Sequence, residues 1–494
     1  MCYYIAVGKR ASADGSVMVG RCSDRIANDA QRVVSMPRMA HAPGETVKIP
    51  NSNTTIPQVP LTHAYTASAR WNKGTAIERI TGGINEFQVS AGATTSGYGL
   101  KPKVLELTPR SDSAIGDYMM TLVLQRCKTA REAISLMGDL TEQYGSISDT
   151  YLVADPNEAW MFELYHGTHW AAARLPDDCF LVEANSYRLG EINPGDPDNY
   201  RCDPDLIPFA VKHGLWDPSG GVPFHAAKAY SAPDDQLPRG THAQPYLSLH
   251  RVWRGCMLLK PSANLDPYEP AKEYPLFLVP DRKLTPQDLL SVLKDHYQGT
   301  ELDEYGAQDD EYPAVINQDT GRYRLAPGWG NSRIIGPAHS VVSWLTQSRD
   351  WLPNEIGGVF WSGLGRAWAS PHIPWYAGNT RTPQAFRLGD ASAEGSRYMP
   401  DSAFWMFATA GNIVNLFYQG TVDLVRPVWE RFDGRSFETQ ARIEDTARVL
   451  WEKDPAEAAE YLTLYSNGLA QEALDVAQDV LGELFTRIAV LNHP

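Results

Sequence analysis

Cys2 shares one short stretch, "CYYIAVGKRASADGSVMVGRCSD", with Arg21 and Asp24. These three residue types can together perform nucleophilic chemistry. A free thiol, with a reference pKa of about 8.5, is mostly protonated at neutral pH, and an adjacent guanidinium favours the thiolate. An α-amino group titrates at about 7.7 to 8.0, so a cysteine made first in the chain by removal of Met1 carries its own proton acceptor. A carboxylate such as Asp24 would hold that amine in place. No histidine is required.

Positioning these groups falls to a hairpin. "CYYIAVGK" and "SVMVGRCS" read as two strands joined through the Asp14-Gly15 turn. Symmetric closure pairs positions whose numbers sum to about 25, which sets Cys2 opposite residue 23, where facing side chains lie about 5 Å apart. Arg21 and Asp24 then fall beside Cys2 through local geometry. Cys22 alternates to the other side of the strand from Arg21 and reads as core. A cysteine in a strand more often packs than reacts. Position two, from which Met1 can be removed, separates Cys2 from that reading.

Around the hairpin the chain reads as strands, helices, strands and helices in turn. "TYLVADP", "AWMFELY", "HWAAARLP" and "CFLVEANSY" have the pattern of an antiparallel meander over residues 150 to 186. "SAIGDYMMTLVLQRC" and "TAREAISLMGDLTEQYG" have helical spacing, Thr129 with Glu132 forming a capping box, and Thr285-Pro286-Gln287-Asp288 opens another helix. From about residue 437 to the end the pattern is helical. This order suits an α+β layered fold better than alternating βαβ units. The Pro-, Gly- and Asp-rich stretches 189 to 247 and 300 to 335 keep their aromatic residues and read as ordered excursions over the surface or the active-site rim. No domain boundary is visible, so residues 2–494 read as one domain with 437–494 as a helical C-terminal extension.

Composition excludes several function classes. A net charge of −15 and no Lys/Arg cluster argue against a nucleic-acid partner. Six scattered cysteines without a CxxC pair suit free thiols rather than a disulfide framework or a zinc site. The N-terminal apolar run is broken by Lys9, Arg10 and Asp14, and no run approaches the roughly 20 residues of a membrane span. The expectation is a cytoplasmic protein without a membrane partner. His166 and His169 lack a third ligand, and Gly363 and Gly365 lack the rest of a nucleotide fingerprint, so neither metal nor cofactor is expected.

The opening block resembles the N-terminal signature of the C69 family of dipeptidases. These are cysteine-type N-terminal nucleophile (Ntn) hydrolases, related to choloylglycine hydrolases and penicillin V acylases. "VADPNEAWMFEL", "HWAAARLPDD", "EANSYRLGEI", "HRVWRG" and "HYQGTELD" continue the likeness in order over most of the chain. The resemblance implies a four-layer αββα sandwich, here with additional C-terminal helices, and a homo-oligomer acting on small peptides. It implies Cys2 as nucleophile, Arg21 as the guanidinium beside the thiol and Asp24 as the carboxylate orienting the amine. It further implies Asn185 as an oxyanion donor and Arg251 as a second active-site arginine, with Arg254 the nearby competitor. A further oxyanion donor would fall in "VSAGATTSG", either the Thr94 side chain or a backbone N–H, where the related acylases carry an asparagine. Three readings stay open: a dipeptidase, an N-acyl amidase, and a non-catalytic protein like the family's secernin branch.

Overall fold

The computed structural model describes residues 2–25, 28–70, 77–96, 99–108, 111–147, 149–232, 245–267, 269, 273–300, 302–303, 316–317, 322–323, 334–337, 340–389 and 396–491. The hairpin closes symmetrically across the loop 8–16. Cys2–Val7 pairs with Val17–Asp24 in the register Cys2↔Ser23, Tyr3↔Cys22, Tyr4↔Arg21. These strands form the middle of a six-stranded sheet, ordered Phe180–Glu183, Cys2–Val7, Val17–Asp24, Ser340–Ser348, Val359–Leu364, Ile373–Tyr376. An eight-stranded sheet runs Tyr200–Cys202, Trp170–Arg174, Ala159–Leu164, Asp149–Ala154, Ser90–Thr95, Arg79–Asn85, Tyr65–Arg70, Gln31–Met36.

Strand alternation divides the apolar residues into layers. Tyr4, Ala6, Val17, Val19 and Trp344 of one sheet meet Leu152, Ala154, Met161 and Ala171 of the other in a shared core. The opposite face of the larger sheet, with Ala91, Tyr151, Val153 and Phe162, is covered by helices Met119–Arg126 and Ala130–Tyr144. The opposite face of the smaller sheet offers Tyr3, Ile5, Met18 and Cys22 to helices Pro245–Leu259 and Pro286–Leu293. Further along that face Leu345, Trp361 and Tyr376 pack under Phe437, Ala447 and Leu462 of the C-terminal helices. The result is helix, sheet, sheet, helix, the four-layer α+β sandwich expected.

Three local expectations are corrected. The four-strand meander stops after three strands, because Phe180–Glu183 crosses to the smaller sheet and pairs with Cys2–Val7. The crossing is tight: a Cβ on Gly8 would meet the carbonyl oxygens of Pro176 and Asp177 at 2.6 Å, so only glycine fits there. At the second helix, Thr129 Oγ1 accepts from Glu132 N, but the Glu132 carboxylate reaches Lys128 N, one residue beyond the cap. The C-terminal helices begin well before residue 437, at Ala403–Leu416, and Tyr418–Trp451 runs through 437 without a break. Pro427 within that helix obscured the periodicity of its first turns. Of the two rim stretches, 233–244 and most of 304–333 lie outside the described residues.

Candidate active site

The site forms where several strand ends meet: the start of Cys2–Val7, the end of Val17–Asp24, the end of Ser90–Thr95 and the start of Asp149–Ala154. Arg21 stands diagonal to Cys2 across the hairpin and donates Nη2–H to Cys2 Sγ at 3.0 Å. Its Nη1 donates to the Thr81 carbonyl of the opposite sheet, and its guanidinium lies 5.4 Å from the Tyr4 ring centre. Gly92 makes room for that ring, since a Cβ there would come within 1.9 Å of the Tyr4 hydroxyl. The guanidinium is therefore held by Thr81 and Tyr4 before it meets the thiol.

Electrostatics single out Cys2. Burial pushes its thiol up, but the Arg21 charge, helped by the chain's amino terminus, overcomes this and brings the pKa down to about 6. Cys22 is buried equally and has no such contact; burial leaves its thiol well above the usual range. Burial likewise raises Cys127 to about 12 and Cys179, Cys202 and Cys256 to about 11. Of six thiols, one is poised as a thiolate near neutral pH.

The nitrogen of Cys2 is a peptide nitrogen while Met1 is attached and becomes the α-amine if Met1 is removed. It donates to Asn185 Oδ1 at 2.9 Å. The same oxygen accepts from Arg251 Nη2 at 3.0 Å, and Arg251 Nη1 donates to the Cys2 carbonyl at 2.8 Å. Arg251 can only donate, so the Asn185 amide orientation is determined: Oδ1 faces Cys2, and Nδ2 donates to Thr95 O at 2.7 Å. Asn185 holds this place at φ 57°, a left-handed conformation that asparagine tolerates. The second Nδ2 hydrogen has no acceptor among the described residues.

The other expected residues fall as follows. Asp24 Oδ1 accepts from Ser340 Oγ at 2.6 Å, and the Asp24 charge opposes the lowering of the Cys2 pKa. Asn185, rather than Asp24, thus receives the Cys2 nitrogen in the unprocessed chain. The Thr94 hydroxyl, expected as an oxyanion donor, donates to Glu183 Oε2 at 2.6 Å, a bond between the two sheets. Alternation explains it: Thr94 points between the sheets, whereas its neighbour Thr95 is exposed at the strand end and supplies the carbonyl that holds Asn185. Arg254 pairs with Asp295 at 2.8 and 2.9 Å, away from Cys2.

Sequence reasoning missed Arg25 and Asp149. Arg25 follows Asp24 directly and its charge lowers the Cys2 pKa. Asp149 pairs with Thr95 in the ladder, and burial pushes its carboxyl up to about 8. A second arginine after Asp24 was a readable signal. Nothing in the sequence marked Asp149, which depends on strand pairing. A Ser343–His372–Asp433 chain also exists, with Ser343 Oγ 2.9 Å from His372 Nε2 and His372 Nδ1 3.3 Å from Asp433. Ser343 and His372 are fully buried and Lys294 neutralises Asp433 at 2.7 Å, so this chain braces the C-terminal helices and no substrate reaches it.

The family model for peptidase family C69 matches residues 1–431. A probable dipeptidase of Latilactobacillus sakei is 28% identical over 98% of this chain and 95% of its own length. A probable dipeptidase of Salmonella dublin is 31% identical over 76% of this chain and 81% of its own, and a dipeptidase of Bifidobacterium longum is 30% identical over 77% and 72%. Among solved structures, a mutant conjugated bile acid hydrolase from Clostridium perfringens aligns with a TM-score of 0.38 at 9% identity, over 81% of this chain and 98% of its own.

Proposed function

Because this chain belongs to peptidase family C69, we propose that it is a dipeptidase acting through an acyl-enzyme on Cys2, formed after Met1 is removed. The observation that carries the reading is the contact set on one residue. The Cys2 thiol is held by Arg21 at 3.0 Å and the Cys2 nitrogen by Asn185 at 2.9 Å, while the other five thiols are all shifted the opposite way.

The poise of the thiol decides the proton traffic. With the thiol near 6 and an α-amine at about 7.7 to 8.0, the resting pair at neutral pH is thiolate and ammonium. Sγ attacks the scissile carbonyl without prior deprotonation. The oxyanion takes the free Nδ2 hydrogen of Asn185, the type of contact whose loss typically costs about 100- to 1,000-fold in rate. Collapse of the intermediate breaks the C–N bond, and the ammonium delivers its proton to the leaving amine. The amine, now neutral, accepts a proton from water as water attacks the thioester, which releases the second product and restores the pair. Arg251 ties the Cys2 carbonyl to Asn185 and keeps nucleophile and donor in register.

Intact mass and a substrate panel test this reading. The mature protein should lack Met1 and cleave unblocked dipeptides in preference to N-acylated amino acids. A retained Met1 with no turnover would instead mark a non-catalytic protein, and cleavage confined to N-acylated compounds would mark an amidase.

A further inference from the structure

Arg25 leaves the strand end beside the nucleophile with its charge only loosely engaged. Its ion pairs run to Asp29 at 3.9 Å and Asp117 at 4.0 Å, both beyond hydrogen-bond reach, and its side chain is 30% exposed. Among the described residues it makes no hydrogen bond. The two carboxylates are already taken at contact distance by other arginines: Arg70 Nε holds Asp29 at 2.8 Å, and Arg79 Nη2 binds Asp117. Three guanidiniums therefore share two carboxylates. Arg25 is the surplus cation, in a chain whose net charge is −15.

Arg25 directly follows Val17–Asp24, the strand whose Ser23 pairs with Cys2, and its charge helps lower the Cys2 pKa. Of the other carboxyls nearby, Asp24 accepts from Ser340 Oγ and acts on the thiol in the opposite sense, and Asp149 is buried with its carboxyl pushed up to about 8. The planar donors of the Arg25 guanidinium suit a carboxylate better than an ammonium would.

We propose that Arg25 binds the free carboxylate of the substrate's leaving residue and thereby restricts cleavage to peptides that end one residue beyond the scissile bond. This assignment rests on the dipeptidase reading above. The alternative, that Arg25 only steadies the Asp29 and Asp117 pairs, predicts no discrimination between charged and neutral ends.

Arg25→Gln should be assayed on a dipeptide and on the same dipeptide with a C-terminal amide. A charge-assisted bond of this kind corresponds to a loss of roughly 10- to 100-fold in kcat/KM on the free carboxylate, mostly in KM, against about twofold on the amide. Arg25→Lys should recover part of the loss. Equal losses on both substrates, or none, overturn the assignment, because a change in thiol poise or in fold affects both alike. A second readout needs no turnover: the rate of Cys2 alkylation by iodoacetate relative to neutral iodoacetamide should fall in Arg25→Gln, and an unchanged ratio overturns the proposal. The wild type separates the two levels of argument. Wild type that cleaves dipeptide and amide equally removes the role of Arg25 alone, whereas wild type that cleaves neither removes the dipeptidase reading and this assignment with it.

Discussion

Arg21 donates to the sulfur of Cys2 at 3.0 Å from a position diagonal to it across a two-stranded hairpin. Both residues are buried, so the pair works in a medium where burial alone would keep the thiol protonated. The guanidinium outweighs that penalty only because it is pinned by Thr81 and Tyr4 and cannot swing to water.

This pair sets a pH profile. Thiolate content rises as pH increases through about 6 and saturates above it, so iodoacetamide should alkylate Cys2 with that midpoint while the other thiols stay slow. In Arg21→Gln the burial remains without the charge, so the midpoint should move above the ordinary thiol value. Stopped-flow alkylation against pH checks both, and coincident profiles would remove Arg21 from the mechanism.

Cys2→Ala should abolish turnover while leaving the melting temperature close to wild type, since alanine fits the same strand position. Cys2→Ser, with its amine intact, should keep a trace of activity. Wild-type turnover in a correctly processed Cys2→Ala protein would overturn the acyl-enzyme.

Asn185 can be dissected by its backbone. Asn185→Gly and Asn185→Ala both remove the amide and should both lose about 100- to 1,000-fold in kcat. Only alanine meets the left-handed backbone with a Cβ, which costs roughly 1 to 2 kcal/mol, so Asn185→Ala should melt lower than Asn185→Gly. Equal melting temperatures would mean that the loop relaxes.

Asp24→Asn tests whether the processed amine recruits the carboxylate. Removal of Met1 gives the nitrogen further hydrogens beyond the one on Asn185. If Asp24 takes one, the variant should lower kcat with little change in KM, and the α-amino pKa should fall because a nearby negative charge is lost. The basic limb of the kcat profile reports it.

The C-terminal helices supply a test of stability. Arg349 and Glu444 form a buried two-point pair at 2.7 Å per contact, joining the Ser340–Ser348 strand end to helix Tyr418–Trp451. Glu444→Gln leaves the guanidinium unpaired and should cost about 3 to 5 kcal/mol in urea unfolding, with Cys2 alkylation unchanged. A chain ended before residue 437 should fail to fold, because Trp361 and Tyr376 would lose the layer that covers them.

The sequence by itself determined what local pairing determines. Two strands closed symmetrically across the loop 8–16 pair positions that sum to 25, which puts Arg21 diagonal to Cys2. Alternation placed Cys22 in the core for the same reason. The helices with strong caps were legible because capping is a contact over three or four residues. What the tertiary structure decided are contacts that no local rule spans. Asn185 and Arg251 reach Cys2 from far along the chain, and they do so only because Phe180–Glu183 abandons the meander for the smaller sheet. The bond from Thr94 to Glu183 was not legible either, because which side of Ser90–Thr95 faces the other sheet depends on how the two sheets stack. The loose hold on Arg25 was invisible for a related reason: charge balance in a cluster depends on which strand ends converge, and sequence spacing carries no information about that.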